Sequence, residues 1–70
     1  MAGRFRVVSN DPTIRTRDGA ETIPGWPYLS DEFNTLDEAE MYAYTLHQKL
    51  GSSVRVFDCE EKKVVVEIGK

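Results

Sequence analysis

The sequence predicts an α+β domain in which one helix packs on one face of a small, mainly antiparallel sheet, in the order β–(β-hairpin or loop)–α–β–β. Three observations carry this. Residues 36–50 form a capped, amphipathic stretch. Two valine-rich runs follow, separated by a charged turn. A polar–apolar alternation occupies residues 4–8.

Arg4-Phe5-Arg6-Val7-Val8 suits a strand with Phe5 and Val7 on one face. Ser9-Asn10-Asp11-Pro12 ends it, because all of these residues favour turns. Residues 13–23 admit two readings. Asp18-Gly19 suits a type I′ turn that would set Ile14 opposite Ile23 in a hairpin. The alternative is an irregular loop, since an isolated ribbon is barely stable without something to pack on. Residues 23–29 are barred from a helix by Pro24, Gly25 and Pro27. So apolar a loop, with Trp26 inside it, is expected to pack back on its own domain.

Thr35-Leu36-Asp37-Glu38 is a capping box, in which Thr35 caps the Glu38 amide and Glu38 reaches back. Asp37 and Glu38 also suit the positive end of the helix dipole. Leu36, Ala39, Ala43, Leu46 and Leu50 recur at spacings of three and four and form one stripe. Gly51 supplies the left-handed stop. Residues 54–58 and 64–68 are strands joined by Glu60-Glu61-Lys62. Patterning sets their register: Cys59 faces Lys63, Phe57 faces Val65, Val56 faces Val66, Arg55 faces Glu67 and Val54 faces Ile68. One face is then wholly aliphatic and the other gains an Arg–Glu pair. The predicted core is Phe5, Val7, Leu36, Ala39, Ala43, Leu46, Leu50, Val54, Val56, Val64, Val66 and Ile68.

Seventy residues make a single domain, 1–70, with a modest core and marginal stability. There is no apolar run near the roughly 18 residues of a membrane span, and residues 1–4 lead into a strand rather than a signal peptide. Cys59 is the only cysteine, so no internal disulfide forms and the chain reads as cytoplasmic. Net charge is -3, unevenly spread. Residues 1–30 carry four arginines against three acids, and residues 31–50 carry five acids against Lys49. A mildly acidic chain is poorly suited to nonspecific nucleic-acid binding.

The chemistry of an enzyme is hard to assemble from these residues. Zinc needs three or four converging ligands, and there is one Cys and one His. His47 lies beside the apolar stripe and reads as a boundary residue. Cys59 and His47 are the only nucleophile–base pair, but Asp58 and Glu60 flank the thiol and oppose thiolate formation. Asp31-Glu32, Asp37-Glu38 and Glu60-Glu61 read as solvated, capping or turn-forming acids. No calcium loop or phosphate loop is present. The expectation is a non-enzymatic chain with no cofactor and no metal.

Two surfaces can recognise a partner. The sheet face opposite the helix would display Arg4, Arg6, Arg55, Phe57, Lys63, Val65 and Glu67, an arrangement suited to stacking single-stranded bases. Alternatively, the loop from Trp26 to Tyr28 folds over Phe57 and Val65 and makes a second small core. The outer helix face would present Met41, Tyr44 and Gln48 at spacings of three and four, and Met and Tyr are enriched at protein interfaces. With Trp26, Tyr28 and the acids Asp31, Glu32, Asp37, Glu38 and Glu40, these are the candidate partner-binding residues. The acids would act as a phosphate mimic in an inhibitor.

The stretch from Phe33 to Asp58, with its Phe-x-x-x-x-x-Ala start, helix, Leu50-Gly51 and following strand, resembles one half of a septal peptidoglycan-binding SPOR repeat. The other half is missing, and no residue role is carried across. In size and charge the chain also resembles phage-encoded inhibitor proteins. The expected function is a small interaction module (an adaptor, subunit or inhibitor) whose partner is another protein, with single-stranded nucleic acid as the alternative. No membrane is expected as partner, and the chain is a monomer or a homodimer.

Overall fold

The computed structural model describes residues 3–14 and 22–69. Five elements follow in chain order: β1 (Phe5–Ser9), β2 (Tyr28–Phe33), α1 (Leu36–Leu50), β3 (Val54–Asp58) and β4 (Lys63–Ile68). The strands form one antiparallel sheet in the order β2-β1-β3-β4, and α1 packs against it. The α+β class is as the sequence predicts, with β2 added as a fourth strand.

α1 forms where its local signals place it. The Thr35 Oγ1 accepts from the Glu38 amide at 3.3 Å and donates to Glu38 Oε1 at 2.9 Å. Gly51 ends the helix at φ 74, and its N–H donates to the His47 carbonyl at 2.7 Å. Ala39, Ala43 and Leu46 are buried and Leu50 is half-buried. Leu36 departs from the predicted core, being 38% exposed. It is the first helical residue, and helical side chains lean toward the N-terminus, here away from the rest of the stripe.

Phe5, Val7, Val54, Val56 and Ile68 meet Ala39, Ala43 and Leu46 to form the main core. The alanines allow the helix backbone to approach the central strands closely. Phe33 and Tyr42 close one side, with ring centroids 5.2 Å apart. Val8 and Leu29 are also buried but face each other away from this cluster. The sequence reading placed neither in the core.

Two bulges explain the differences in register. β1 pairs with β2 as Phe5–Phe33, Arg6–Glu32 and Val7–Asp31, then shifts to Val8–Leu29 and Ser9–Tyr28. Ser30 is the extra residue, so Leu29 and Phe33 lie on opposite faces although they are four apart. In the second hairpin Val54–Ile68, Arg55–Glu67 and Val56–Val66 pair as predicted. Beyond them the pairs are Phe57–Val64 and Asp58–Lys63, not Phe57–Val65 and Cys59–Lys63. Val65 therefore packs on the helix-side core, and Val64 leaves the predicted core to sit across from Phe57. The 59–62 turn sets this offset. Asp58 Oδ1 accepts from the Glu60 and Glu61 amides at 2.9 and 3.2 Å, and Lys62 takes a left-handed φ of 56.

Most of the 13–23 segment, with its Asp18-Gly19 turn, lies outside the described residues. At its ends Ile14 packs on the core, and Ile23 bridges Trp26 through a Trp26 N–H to Ile23 carbonyl bond of 3.0 Å.

Candidate interaction surfaces

The sheet face away from α1 follows from the alternation of β1 and β3, which puts Arg6, Val8, Arg55 and Phe57 on it. Its arginines are matched by acids. Arg6 Nε lies 3.5 Å from Glu32 Oε1, and both side chains are largely buried. Arg55 Nη2 lies 3.2 Å from Glu67 Oε1, and the Arg55 guanidinium sits 4.5 Å from the Trp26 ring centroid. Such a stack is favourable through the ring quadrupole.

Arg4 turns to Asp58, the partner of Phe5 at the end of the β1–β3 ladder. Its Nε and Nη2 each donate to one Asp58 oxygen at 3.0 Å, with Glu60 Oε2 3.6 Å away. These bonds, with the Glu60 and Glu61 amides, hold the buried Asp58 carboxyl at about 2, below its ordinary 3.8, against the opposing effect of desolvation. Lys63 is exposed but takes the register position facing Asp58, and Val65 belongs to the other face. The set Arg4, Arg6, Arg55, Phe57 and Lys63 is therefore divided rather than gathered around one exposed aromatic ring.

The 22–26 loop lies over this face. Thr22, Ile23 and Pro24 form one wall of a cleft of about 540 Å³ whose other lining includes Arg6, Val8, Phe57, Cys59 and Lys62. Trp26 is half-buried on Arg55, at the edge of a second cleft of about 390 Å³ that reaches Ser52, Glu67 and Gly69. The expected second core of the Trp26–Tyr28 loop over Phe57 and Val65 does not form: Val65 packs on the helix-side core, Trp26 stacks on Arg55, and Phe57 lines the cleft beneath Ile23 and Pro24. Tyr28 is not part of the loop but the first residue of β2, paired with Ser9.

The outer face of α1 is as the spacing predicts. Met41 is 72% exposed and Tyr44 52% exposed, and Gln48 and Asp37 are exposed on the same side. The candidate acids are spread over two elements. Asp31 is exposed on β2, and Glu32, on the opposite face of that strand, turns to Arg6. Asp37 and Glu38 occupy the first turn of α1, and Glu40 is half-buried.

A polar junction escapes the sequence reading altogether. Ser52 Oγ donates to Asp11 Oδ2 at 2.6 Å, and the Ser52 carbonyl lies 2.8 Å from His47 Nδ1. Asp11 Oδ1 accepts from the Thr13 amide and hydroxyl, and Ser9 Oγ donates to the Ser53 carbonyl at 2.7 Å. Ser52 and Thr13 lower the Asp11 pKa from its ordinary 3.8. A serine, a histidine and an aspartate meet here, but His47 contacts the Ser52 carbonyl rather than its hydroxyl. The imidazole therefore makes no hydrogen bond to the Ser52 hydroxyl, which is what a histidine base acting on a serine nucleophile needs, and the contacts link the turn after β1 to the exit of α1. Asp11-Pro12-Thr13 is a visible turn signal, but nothing in sequence links it to a serine 41 residues away.

Among the described residues no group of His, Cys, Asp or Glu side chains is placed to hold a metal ion, and no helix is long and apolar enough to cross a membrane. No family model, curated protein or solved structure matches the chain. The likeness of residues 33–58 to half a SPOR repeat therefore carries no assignment.

Proposed function

We propose that the chain is a non-enzymatic protein-interaction module that docks through the outer face of α1, serving as an adaptor, subunit or inhibitor. The exposure of Met41 and Tyr44, 72% and 52%, carries this reading. They stand on a helix fixed at both ends by Thr35 and Gly51, so little order has to be imposed on binding. An exposed tyrosine beside a methionine supplies contact area with a polar tip. The part-buried polar pairs Arg4–Asp58 and Asp11–Ser52 are engaged in holding the fold together. The lone Cys59 supports a cytoplasmic setting.

The test is a photo-crosslinking amino acid at position 44 in the native host, with position 61 in the β3–β4 turn as control. A discrete covalent adduct at 44, lost when Met41→Asp is added, is the expected result. The absence of any adduct at 44, or the same adducts at 61, rules the reading out.

A further inference from the structure

The sheet offers poor edges for association. β2 carries the bulge at Ser30 together with Asp31, and β4 carries a bulge opposite Phe57 and begins with exposed Lys63. Bulges and edge charges turn strands away from intermolecular pairing. By contrast, the exposed large hydrophobic side chains among the described residues, Leu36, Met41 and Tyr44, all belong to α1.

We infer that the outer face of α1 binds a second copy of this chain, helix against helix in antiparallel orientation. The inference rests on the interaction reading above and names its partner. Self-complementarity carries it. Asp37, Met41, Tyr44 and Gln48 follow one another at spacings of four, three and four, which is the seam of a two-helix contact. With a two-fold axis between Met41 and Tyr44, Met41 packs on the partner's Tyr44, and the contact occurs twice. Thioether–aromatic contacts of this kind are favourable. The same axis sets the Asp37 carboxylate against the amide of the partner's Gln48, which donates to it.

Charge fixes the orientation. The first turn of α1 is acidic, with Asp37 and Glu38, and the last turn carries the exposed base Lys49, while His47 turns inward to the Ser52 carbonyl. Antiparallel packing brings each acidic turn beside the partner's basic turn and opposes the two helix dipoles favourably. Parallel packing would face Asp37 with the partner's Asp37. α1 is about 22 Å long at ~1.5 Å per residue, so the contact falls below the ~1,200 Å² of a stable interface. The dimer is therefore weak and forms with rising concentration.

Sedimentation equilibrium of the purified full chain across a dilution series tests this. The apparent mass should rise from 8.0 kDa toward twice that value. Met41→Asp with Tyr44→Asp should stay at monomer mass with an unchanged far-UV spectrum. In a Cys59→Ser background, oxidising a mixture of Asp37→Cys and Gln48→Cys chains should give more disulfide dimer than either alone. A monomer mass at every concentration, a dimer that survives the double aspartate variant, or preferential Asp37→Cys self-linkage each overturns the inference. If the chain stays monomeric while the crosslinker at 44 still captures another protein, the second copy falls as partner and the docking face stands. If neither occurs, both readings fall.

Discussion

Leu46 and Leu36 belong to the same apolar stripe by spacing, yet Leu46 is 9% exposed and Leu36 38%. Alanine at either position preserves helix propensity, so the comparison isolates burial. Truncating Leu46 forfeits ~0.8 kcal/mol for each carbon removed, ~2.4 kcal/mol in all. The cavity left beneath α1 adds to this, within the about 2–5 kcal/mol range for buried leucines, and we expect a total of about 3 kcal/mol. A domain of this length holds roughly 3.5–10 kcal/mol at ~0.05–0.15 per residue, so the loss is a large fraction of the whole. Leu36→Ala should cost about 1 kcal/mol, because much of that side chain is already in water. Urea unfolding followed by circular dichroism measures both, and an unchanged m-value shows that the native and unfolded states remain comparable. At ~4–8 °C per kcal/mol, Leu46→Ala should lower Tm by at least ~12 °C. Equal losses for the two variants would refute the placement of the helix on the sheet.

The remaining expectations concern single contacts. The unfolded chain takes up a proton at Asp58 near the ordinary value of 3.8, whereas the folded chain does so only near about 2. The stabilisation from the Arg4–Asp58 pair is therefore complete above the ordinary value and is lost as pH falls through that window. Asp58→Asn should flatten the acid limb of a stability–pH curve, and an unchanged limb would assign it to other carboxylates. Thr35→Ala should cost about 1 kcal/mol through loss of the cap, measurable by the same urea series. Gly69→Ala would place a Cβ 2.5 Å from His47 Cε1, whereas at Gly51 the same change meets nothing within 4 Å. The His47 ring resonances should shift in the Gly69 variant and hold in Gly51→Ala, which is left with backbone strain at φ 74. Because Arg4, Arg6 and Arg55 are each matched by a carboxylate, titration with single-stranded RNA or DNA should give flat curves even at low salt. Saturable binding lost on Phe57→Ala would reinstate the sheet face as a binding surface.

The parts of this fold that were legible in the sequence are those with local causes. Thr35, Glu38 and Gly51 mark the ends of α1 within one turn of the groups they bond, and its buried stripe is a matter of spacing. The first pairs of β3 and β4 follow from matching valines and Arg55 with Glu67. β2 was hidden because Ser30 breaks its alternation, so Leu29 and Phe33 read as unrelated when Leu29 is buried on one face and Phe33 packs half-buried on the other. The offset at Val65 was hidden for the same reason: it depends on how Asp58 holds the amides of the following turn. The Met41–Tyr44 face was legible because an unpartnered helix side is simply the complement of the buried one. The pairing of the arginines was legible for Arg55–Glu67, which shares a register. For Arg6–Glu32 it depended on a strand that the pattern concealed.

The Asp11–Ser52–His47 junction ties three distant segments at one corner: the turn after β1, the exit from α1, and the end of β4 through Gly69 against the imidazole. Helix ends ordinarily fray alone, at little free-energy cost. Here opening the last turn of α1 breaks the His47 contact with the carbonyl of Ser52, the residue that also holds Asp11, and moves the imidazole away from Gly69. The terminal amides of the helix should therefore exchange with deuterium in step with those of the flanking strands, so that the corner opens as one unit or not at all.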